Sequence, residues 1–319
     1  MRRALPALGL FLLAPLVAEF LLGDVPIDMP QTLLILAPMY GGGALIIREV
    51  VRRTGRGWVS IFVLATAYGL LEEAFMTESL FNPNYLGLNL RLLEPAYVPV
   101  LGIGLWWTVL VLTMHAVWSI SVSIALAEGL APRHAAEPWL GNVGLVLTAL
   151  LFALAAVVSG VDAVRSDAGH FVASTAQFAW SGVLCAALIA AALLLPRPSA
   201  SRRPGWVPSP WLAGLAALAA GSFLLLVPGA WGRRAVAVYL ALDVLVITGV
   251  GLWSCRADWG ARHRLALAGG AALAYAWYAF TQHPVVGHSP LAIVRFGNCV
   301  FAAGTVALLV IASRRQRRA

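Results

Sequence analysis

The chain has 319 residues, of which 61% are hydrophobic and only 11% are charged. Soluble domains carry about 25% charged residues, so this composition excludes an ordinary soluble protein. A mean hydropathy of +0.84 indicates an integral membrane protein instead. The formal net charge is +8, and every basic residue other than histidine is arginine. We exclude nucleic acid as the partner behind this excess, because the arginines lie at the ends of apolar segments, where membrane proteins place them.

A membrane-spanning helix needs about 20 largely apolar residues. Ten stretches approach that length: 4–22, 31–48, 58–80, 101–128, 139–160, 172–195, 210–228, 235–254, 265–282 and 291–312. With the amino terminus placed inside, most arginines fall on the cytoplasmic side, as the positive-inside rule requires. Because a backbone in lipid must satisfy its own hydrogen bonds, we expect an all-α, polytopic helical bundle of about ten spans with both termini in the cytoplasm.

The whole chain, 1–319, is predicted to be a single integral membrane domain. The stretch 4–22 follows two arginines, as in a signal peptide, but its length favours a first helix that stays in the protein. Segment 30–145 holds nearly all the polar side chains inside apolar stretches, whereas 172–312 is mostly apolar. The expected location is the cell membrane, as a multi-pass protein of a bacterial plasma membrane.

The third stretch contains two adjacent glutamates, Glu72 and Glu73, and Glu78 follows within two turns. A carboxylate in hydrocarbon costs roughly 2.5–3.5 kcal/mol on insertion scales, so a chain that keeps two has partners, water or chemistry for them. Adjacent residues point about 100° apart around a helix, so we expect that the two glutamates do not face one partner. The functional interpretation is a general base or a cation site, and the structural alternative is hydrogen bonding to helix ends or arginine.

His115 lies near the middle of the fourth stretch, at a depth similar to that of Glu72. Steps of four and seven residues place several polar side chains on one helix face: Thr108, His115, Ser119 and Ser123. We expect a Glu–His pair across the interface of the third and fourth spans. The structural alternative is a helix–helix hydrogen bond of the kind that Ser and Thr make in membranes.

Polar residues elsewhere give further candidates. His283 lies in a Pro/Gly loop before the last stretch, and Asn298 lies in the first turns of that stretch. Asp243 is an intramembrane carboxylate with no partner that the sequence can assign. A zinc site would need three convergent ligands, and only combinations of His115, His283 and Glu72 could supply them, so we expect neither a metal nor another cofactor.

Four charged residues end the second stretch, after the glycines 41–43: Arg48, Glu49, Arg52 and Arg53. We interpret them as a cytoplasmic anchor with i,i+4 charge pairs. The glycines allow a close approach of helices or local unwinding. They are not a phosphate-binding loop, because no Lys-Ser/Thr follows them.

Several of these segments resemble glutamate-type intramembrane proteases, which include the CAAX-processing and bacteriocin-processing (CPBP) family and the PrsW-type proteases. The shared outline is an intramembrane Glu-Glu pair, a histidine on a following helix and a late His/Asn segment. HAVWS at 115–119 is similar to the HAxxS segment of PrsW-type sequences, and REVVR at 48–52 is distantly similar to their EExxK element. Thr77 or Glu78 stands where the CPBP pattern EExxxR has arginine, and Val111 stands where FxxxH has phenylalanine. The chain also resembles uncharacterised bacterial polytopic proteins with the pattern LIREV…GLLEE…SLFNPNY.

The resemblance implies a metal-independent protease that acts on membrane-embedded or juxtamembrane peptides. Glu72 or Glu73 would deprotonate a water molecule in a polar cavity that opens outward, with one carboxyl acting as base and the other as acid. His115 would bind the water or stabilise the oxyanion, with Asn298 as a further donor. The secondary candidates for the site are Glu78, Ser119, His283 and Asp243.

Two other classes of function stay open. The first is an ion- or proton-coupled transporter, in which Glu72, Glu73, His115 and Asp243 form a relay, although no internal repeat is evident. The second is a non-enzymatic membrane scaffold. The expected partners are the lipid bilayer and, for a protease, a membrane peptide or protein substrate.

Overall fold

A computed structural model describes residues 4–166, 170–197 and 203–318. Three of the arginines at segment ends, Arg2, Arg3 and Arg202, lie outside these ranges. The protein is all-helical, with 74% of its residues in helices. The long helices are α1 (Ala4–Phe20), α2 (Pro30–Arg53), α3 (Trp58–Met76), α4 (Leu105–Leu130), α5 (Asn142–Arg165), α6 (Thr175–Leu194), α7 (Pro210–Leu226), α8 (Arg233–Ser254), α9 (Ala261–Tyr278) and α10 (Leu291–Arg318).

Seven helices among the described residues are long and apolar enough to cross a membrane, namely α2 to α6, α8 and α10. Two more, α1 and α7, are apolar but shorter. The prediction of an all-α, multi-pass membrane protein is confirmed at this level.

Local sequence explains where two helices begin. Ser174 caps α6, where its side chain accepts a hydrogen bond from the backbone N–H of Gln177, and Ser209 caps α7 with Pro210 in the first helical position.

The helices divide into an inner and an outer group. In the most apolar part of α2, α3 and α4, 67% of the residues are buried inside the protein, whereas in α5, α6, α8 and α10 the share is 11–22%. A helix that is apolar all round and yet largely uncovered by protein suits contact with lipid. The outer helices therefore shield the inner ones, which carry most of the buried polar side chains.

Helix α4 lies at the centre, because it contributes to all three apolar cores. Ala116 and Ile120 pack with α1, α2 and α3. Trp118 packs against α9, where its ring stacks on that of Tyr275 with centroids 4.5 Å apart. Val111 packs with α3 and α6. A side chain on α4 can therefore be placed accurately against several neighbouring helices.

Short elements connect the helices. Tyr97–Val98 and Ile103–Gly104 form an antiparallel hairpin just before α4. Tight 3₁₀ turns occur at Tyr85–Gly87, Pro132–His134, Gly229–Trp231 and Ala279–Thr281. The third span was predicted to reach residue 80, but α3 ends at Met76 because Glu78 has a φ of 53°, a left-handed conformation that cannot continue the helix.

Four helices each contain one π-helical segment: Leu16–Phe20 in α1, Ala37–Gly41 in α2, Glu72–Met76 in α3 and His115–Val122 in α4. Such segments are rare and occur frequently at functional sites. Pro15 directly precedes the first and Pro38 lies within the second, and proline removes a backbone donor from the regular helical ladder. In α3 and α4 the π-helical segments begin at Glu72 and His115 themselves.

Candidate functional site

Glu72, Glu73 and His115 meet at the interface of α3 and α4. Imidazole Nε2 lies 2.7 Å from Glu73 Oε1, and Nδ1 lies 3.3 Å from Glu72 Oε2. The exposed fractions of the three residues are only 1%, 6% and 6%. We call these three residues the acidic cluster.

The prediction that the two adjacent glutamates do not face one partner is wrong. An imidazole has nitrogens on two of its edges, so Glu72 and Glu73 approach His115 from different sides. The π-helical segment that begins at Glu72 also changes the angular spacing of the side chains from that of a regular α-helix.

The two carboxylates differ in how well their oxygens are satisfied. Glu73 Oε2 accepts hydrogen bonds from the hydroxyls of Thr77, at 3.1 Å, and of Ser79, while Oε1 faces His115. Because a carboxylate only accepts, the ring proton on Nε2 points to Glu73. Glu72 Oε2 is buried and has no hydrogen-bond partner in the described part of the chain. Glu73 therefore orients His115, while Glu72 Oε2 lies beside Nδ1, with the hydroxyls of Tyr40 and Tyr68 near the same carboxylate.

Ser119, a secondary candidate, belongs to the same site. Its hydroxyl lies 3.2 Å from His115 Nδ1, one helical step further along α4. When the imidazole is neutral and its proton is on Nε2, Nδ1 carries a lone pair that accepts this hydroxyl proton. Nδ1 therefore faces both Ser119 and Oε2 of Glu72.

Two tyrosine rings enclose His115. The Tyr40 ring lies nearly parallel to the imidazole, with centroids 6.0 Å apart and an interplanar angle of 17°. Tyr68 meets it edge-on, also at 6.0 Å. The Tyr40 hydroxyl donates a 2.5 Å hydrogen bond to Glu19 Oε1. The Tyr68 hydroxyl is buried and has no hydrogen bond among the described residues.

Sequence reasoning missed Glu19, Tyr40 and Tyr68. Glu19 had a usable signal, because it is the only charged residue within the first apolar stretch. The tyrosines had none, since a tyrosine in an apolar helix is usually part of the packing. With Glu19 and Tyr40 included, each of the four π-helical segments supplies at least one residue to the site.

Two glycines allow the site to close around His115. A Cβ atom built at Gly69 would lie 2.8 Å from His115 Cβ, and one built at Gly43 would lie 2.4 Å from the Tyr68 ring. Both distances are shorter than side chains tolerate. Gly43 belongs to the glycine run in which a close approach of helices was predicted, and that approach is present.

The charges around the cluster do not balance. Two buried carboxylates, those of Glu72 and Glu73, contact a single imidazole, and the partly exposed Glu19 lies beyond Tyr40. Within the described ranges no arginine forms an ion pair with any of them. The site therefore holds an excess of buried negative charge unless protons or a cation are bound.

Glu78 lies close in sequence but has a different role. Its carboxylate Oε2 accepts a 2.6 Å hydrogen bond from the amide of Ala173, at the start of the segment that leads into α6. Its left-handed backbone ends α3. Glu78 therefore ties the end of α3 to the neighbouring helix.

The remaining predicted residues are not brought to the cluster. Asp243 on α8 accepts a 3.0 Å hydrogen bond from Thr113, which is the partner that the sequence could not assign. Asn298 is buried and donates a 2.9 Å hydrogen bond to the Ala279 carbonyl, which links α10 to the end of α9. His283 lies in an exposed loop. The four π-helical segments therefore define the site, and the late His/Asn segment does not join it.

A second group of buried charges lies where the C-terminal ends of α2 and α4 meet. Arg48 is fully buried and forms ion pairs with Glu49, at 3.2 Å, and with Glu128, at 3.0 Å. Glu128 also pairs with Arg52, at 2.8 Å. We call Arg48, Glu49, Arg52 and Glu128 the arginine network.

The loop before α5 completes this network. Arg48 Nη2 donates to three loop carbonyls, those of His134, Ala135 and Glu137. Its guanidinium lies 3.3 Å from the centre of the Trp139 ring, and the Trp139 amide donates to Glu49 at 2.7 Å. The predicted i,i+4 pair of Glu49 with Arg53 is present at 3.5 Å. The anchor interpretation is wrong for Arg48, because the loop and α4 enclose it.

Comparison with known proteins identifies the family of the chain but gives no activity for it. No curated protein and no solved structure matches the chain. The resemblance to CPBP and PrsW-type proteases is not found in these comparisons. The sequence model of an uncharacterised membrane protein family matches residues 8–314. Because that match covers nearly the whole sequence, the chain belongs to this uncharacterised membrane protein family.

Proposed function

We propose that the protein is an intramembrane hydrolase of the glutamate type, which cleaves membrane-embedded or juxtamembrane peptides at the acidic cluster. One observation carries the proposal: a free carboxylate oxygen of Glu72 lies beside an imidazole that Glu73 holds in place. A base and an oriented histidine at the same depth in a membrane protein are the parts that water activation needs.

The residues suggest a division of roles. Glu72 takes a proton from a water molecule, and the resulting hydroxide adds to the carbonyl carbon of the peptide bond. The carbon–nitrogen bond then breaks, and the proton held by Glu72 passes to the leaving amine, so that one water molecule is consumed for each cleavage. His115, fixed by Glu73 and Ser119, holds the water or stabilises the oxyanion.

Access to the site requires movement, because the acidic cluster is almost fully buried. Glu19 is the one acidic residue of the site that is partly exposed. It is joined to the cluster through the Tyr40 ring, which covers one face of His115. We therefore place the entrance for water and substrate on the side of α1 and Tyr40.

The proposed topology has ten spans with both termini in the cytoplasm. The seven long apolar helices, the shorter α1 and α7, and α9 correspond one to one to the ten apolar stretches of the sequence. The charge bias of the segment ends supports this orientation. In this topology the acidic cluster lies in the outer half of the membrane, and the arginine network lies at the cytoplasmic side.

An ion- or proton-coupled transporter is the second candidate. The near-complete burial of three ionisable side chains favours it, because occluded carboxylates in a membrane are typical of ion and proton pathways. Its distinguishing result is pH-dependent flux in proteoliposomes that disappears in the Glu73→Gln variant. A scaffold without enzymatic activity would form a stable complex that is insensitive to substitutions in the cluster.

The test of the hydrolase is peptide cleavage by the purified chain in lipid vesicles, followed by mass spectrometry of the products. A pool of single-span peptides serves as substrate, and ¹⁸O-labelled water marks each newly formed carboxylate. We expect Glu72→Gln, Glu73→Gln and His115→Ala to lose cleavage. The matched control is Asp243→Asn, an intramembrane carboxylate outside the cluster. If all three variants fold normally and cleave like the natural chain, the site is wrong.

A further inference from the structure

We infer that the acidic cluster binds one divalent transition-metal ion, with Glu72 and Nδ1 of His115 as its protein ligands. Glu73 orients the histidine from its other edge, and the Ser119 hydroxyl, which donates to Nδ1 in the metal-free cluster, would give up this bond when the ion binds. The inference rests on the same residues as the proposed hydrolase and changes one role: with the ion bound, Glu72 is a ligand, and the ion would favour the ionisation of water in its place. Cation binding also stands if the activity is a different one.

The charge balance is the first argument. Glu72 and Glu73 are buried, and no arginine in the described part of the chain pairs with either of them. The sequence contains no lysine, so arginine is the only permanently charged side chain that could neutralise them. Two carboxylates and a neutral imidazole would be balanced by a dication, which removes the penalty of an unpaired buried charge.

The unpartnered oxygen of Glu72 is the second argument. Glu72 is 1% exposed, and its Oε2 has no hydrogen bond within the described residues although it lies 3.3 Å from Nδ1. Two ligands of a tetrahedral zinc ion, each about 2.1 Å from the metal, are separated by about 3.4 Å. The spacing of Oε2 and Nδ1 therefore suits two atoms that share one ion.

The arrangement around His115 is the third argument. Histidines that bind metals usually donate their other ring N–H to a carboxylate, which fixes the tautomer and leaves the ligating nitrogen unprotonated. The 2.7 Å contact of Nε2 with Glu73 provides this, and Glu73 is itself held by Thr77 and Ser79. The ligand atoms that Glu72, Glu73 and His115 offer all lie within 4.8 Å of one another.

The chemistry of the donors selects the class of ion. One imidazole and one carboxylate suit Zn²⁺ or Mn²⁺, whereas Ca²⁺ takes about 6–8 oxygen ligands and does not favour an imidazole nitrogen. Glu72 and His115 supply two protein ligands, one fewer than the three that a zinc site was expected to need, so water molecules would complete the shell and leave a position for a carbonyl oxygen. An ion in this place would polarise a carbonyl group and favour the ionisation of water, which are the tasks of a hydrolytic site.

The experiment is metal analysis of the full chain, purified in detergent with its affinity tag removed. The protein is stripped with chelator, incubated with Zn²⁺ or with Ca²⁺, desalted and analysed by inductively coupled plasma mass spectrometry. Binding of Co²⁺ is followed in parallel by its visible absorption spectrum, which reports the coordination geometry. Size-exclusion chromatography shows that each variant is folded and monodisperse.

We expect about one Zn²⁺ per chain, no retained Ca²⁺, and a higher unfolding temperature with Zn²⁺. Glu72→Gln and His115→Ala should lose the ion, and Glu73→Gln should weaken binding by about 10–100-fold. Asp243→Asn should bind like the natural chain. If His115→Ala does not fold, the Co²⁺ spectrum of the natural chain, compared with that of Glu72→Gln, gives the same test.

Other outcomes separate this inference from the proposed hydrolase. Zinc binding without any peptide cleavage would support the cation site and overturn the hydrolase. Peptide cleavage by chelator-stripped protein that binds no zinc would support the hydrolase and overturn the cation site. Equal zinc binding by the natural chain and Glu72→Gln would also overturn it.

Discussion

The arginine network and the acidic cluster are both buried groups of charges that include a residue of α4, and they differ in how completely the charges are satisfied. In the network, two arginines face two glutamates, and none of their buried polar atoms lacks a partner among the described residues. In the acidic cluster, negative charge is in excess and Glu72 Oε2 is unpartnered. The burial of a charged group alone is therefore a poor sign of function. A buried charged group whose hydrogen-bonding capacity is not satisfied indicates a site that binds a ligand or carries out a reaction.

Of the two groups of buried charges, the arginine network should contribute more to the stability of the fold. Replacing Arg48 by methionine keeps much of its volume but removes one ion pair from each glutamate, which leaves Glu49 with Arg53 and Glu128 with Arg52 in a closed site. We expect a loss of about 3–5 kcal/mol in the free energy of unfolding. Denaturant unfolding in detergent micelles, followed by tryptophan fluorescence, measures it.

Arg91→Met is the control for this variant. Arg91 forms an exposed pair with Glu94, and such pairs contribute about 0–1 kcal/mol. Equal losses for the two substitutions would contradict the structural role of the arginine network.

Close packing at Gly69 gives the next largest effect. The added Cβ of Gly69→Ala would press against His115, and overpacking of this kind costs about 1–3 kcal/mol. Displacement of the imidazole should also lower both cation binding and hydrolysis. Gly251→Ala on α8 is the matched control, because a Cβ there meets no atom within 4 Å. A Gly69→Ala variant with normal stability and full binding would show that His115 is not held tightly against α3.

Removal of the Ser119 hydroxyl should have the smallest effect on stability. Ser119→Ala deletes one neutral hydrogen bond to His115, which contributes about 0.5–1.5 kcal/mol, and should reduce hydrolysis by loosening Nδ1. Ser121→Ala is the control on the same helix, since its hydroxyl has no hydrogen bond among the described residues. The two variants are compared by unfolding and by initial rates of peptide cleavage. Equal cleavage rates for the two variants would show that the Ser119 hydroxyl does not contribute to the site.

Much of the fold could be predicted from the sequence, because apolar length and arginine placement are one-dimensional signals. The pairing of Glu72 or Glu73 with His115 also followed from depth along two neighbouring helices. What the sequence could not supply was the angular position of side chains. A regular α-helix would point the side chains of Glu72 and Glu73 in different directions. The π-helical segments of α3 and α4 alter this angular spacing, and they contain no proline that would have predicted them.

The arginine network was misjudged for a related reason. Arg48 lies at the end of an apolar stretch, where arginines usually face water, and only the fold shows that the loop at 134–140 closes over it. Asn298 was assigned to the site by resemblance to a family with a late His/Asn segment. Its amide is instead used between α9 and α10.

The free energy of unfolding of the Glu72→Gln variant, measured beside its peptide cleavage, tests the central claim most directly. If Glu72 is an unsatisfied functional group, the metal-free variant should be at least as stable as the natural chain while cleavage is lost, because an unpaired buried charge has been removed. If Glu72 is instead a structural member of a satisfied network, the variant should lose about 3–5 kcal/mol, as Arg48→Met does. That loss, or cleavage at the natural rate, would contradict the account.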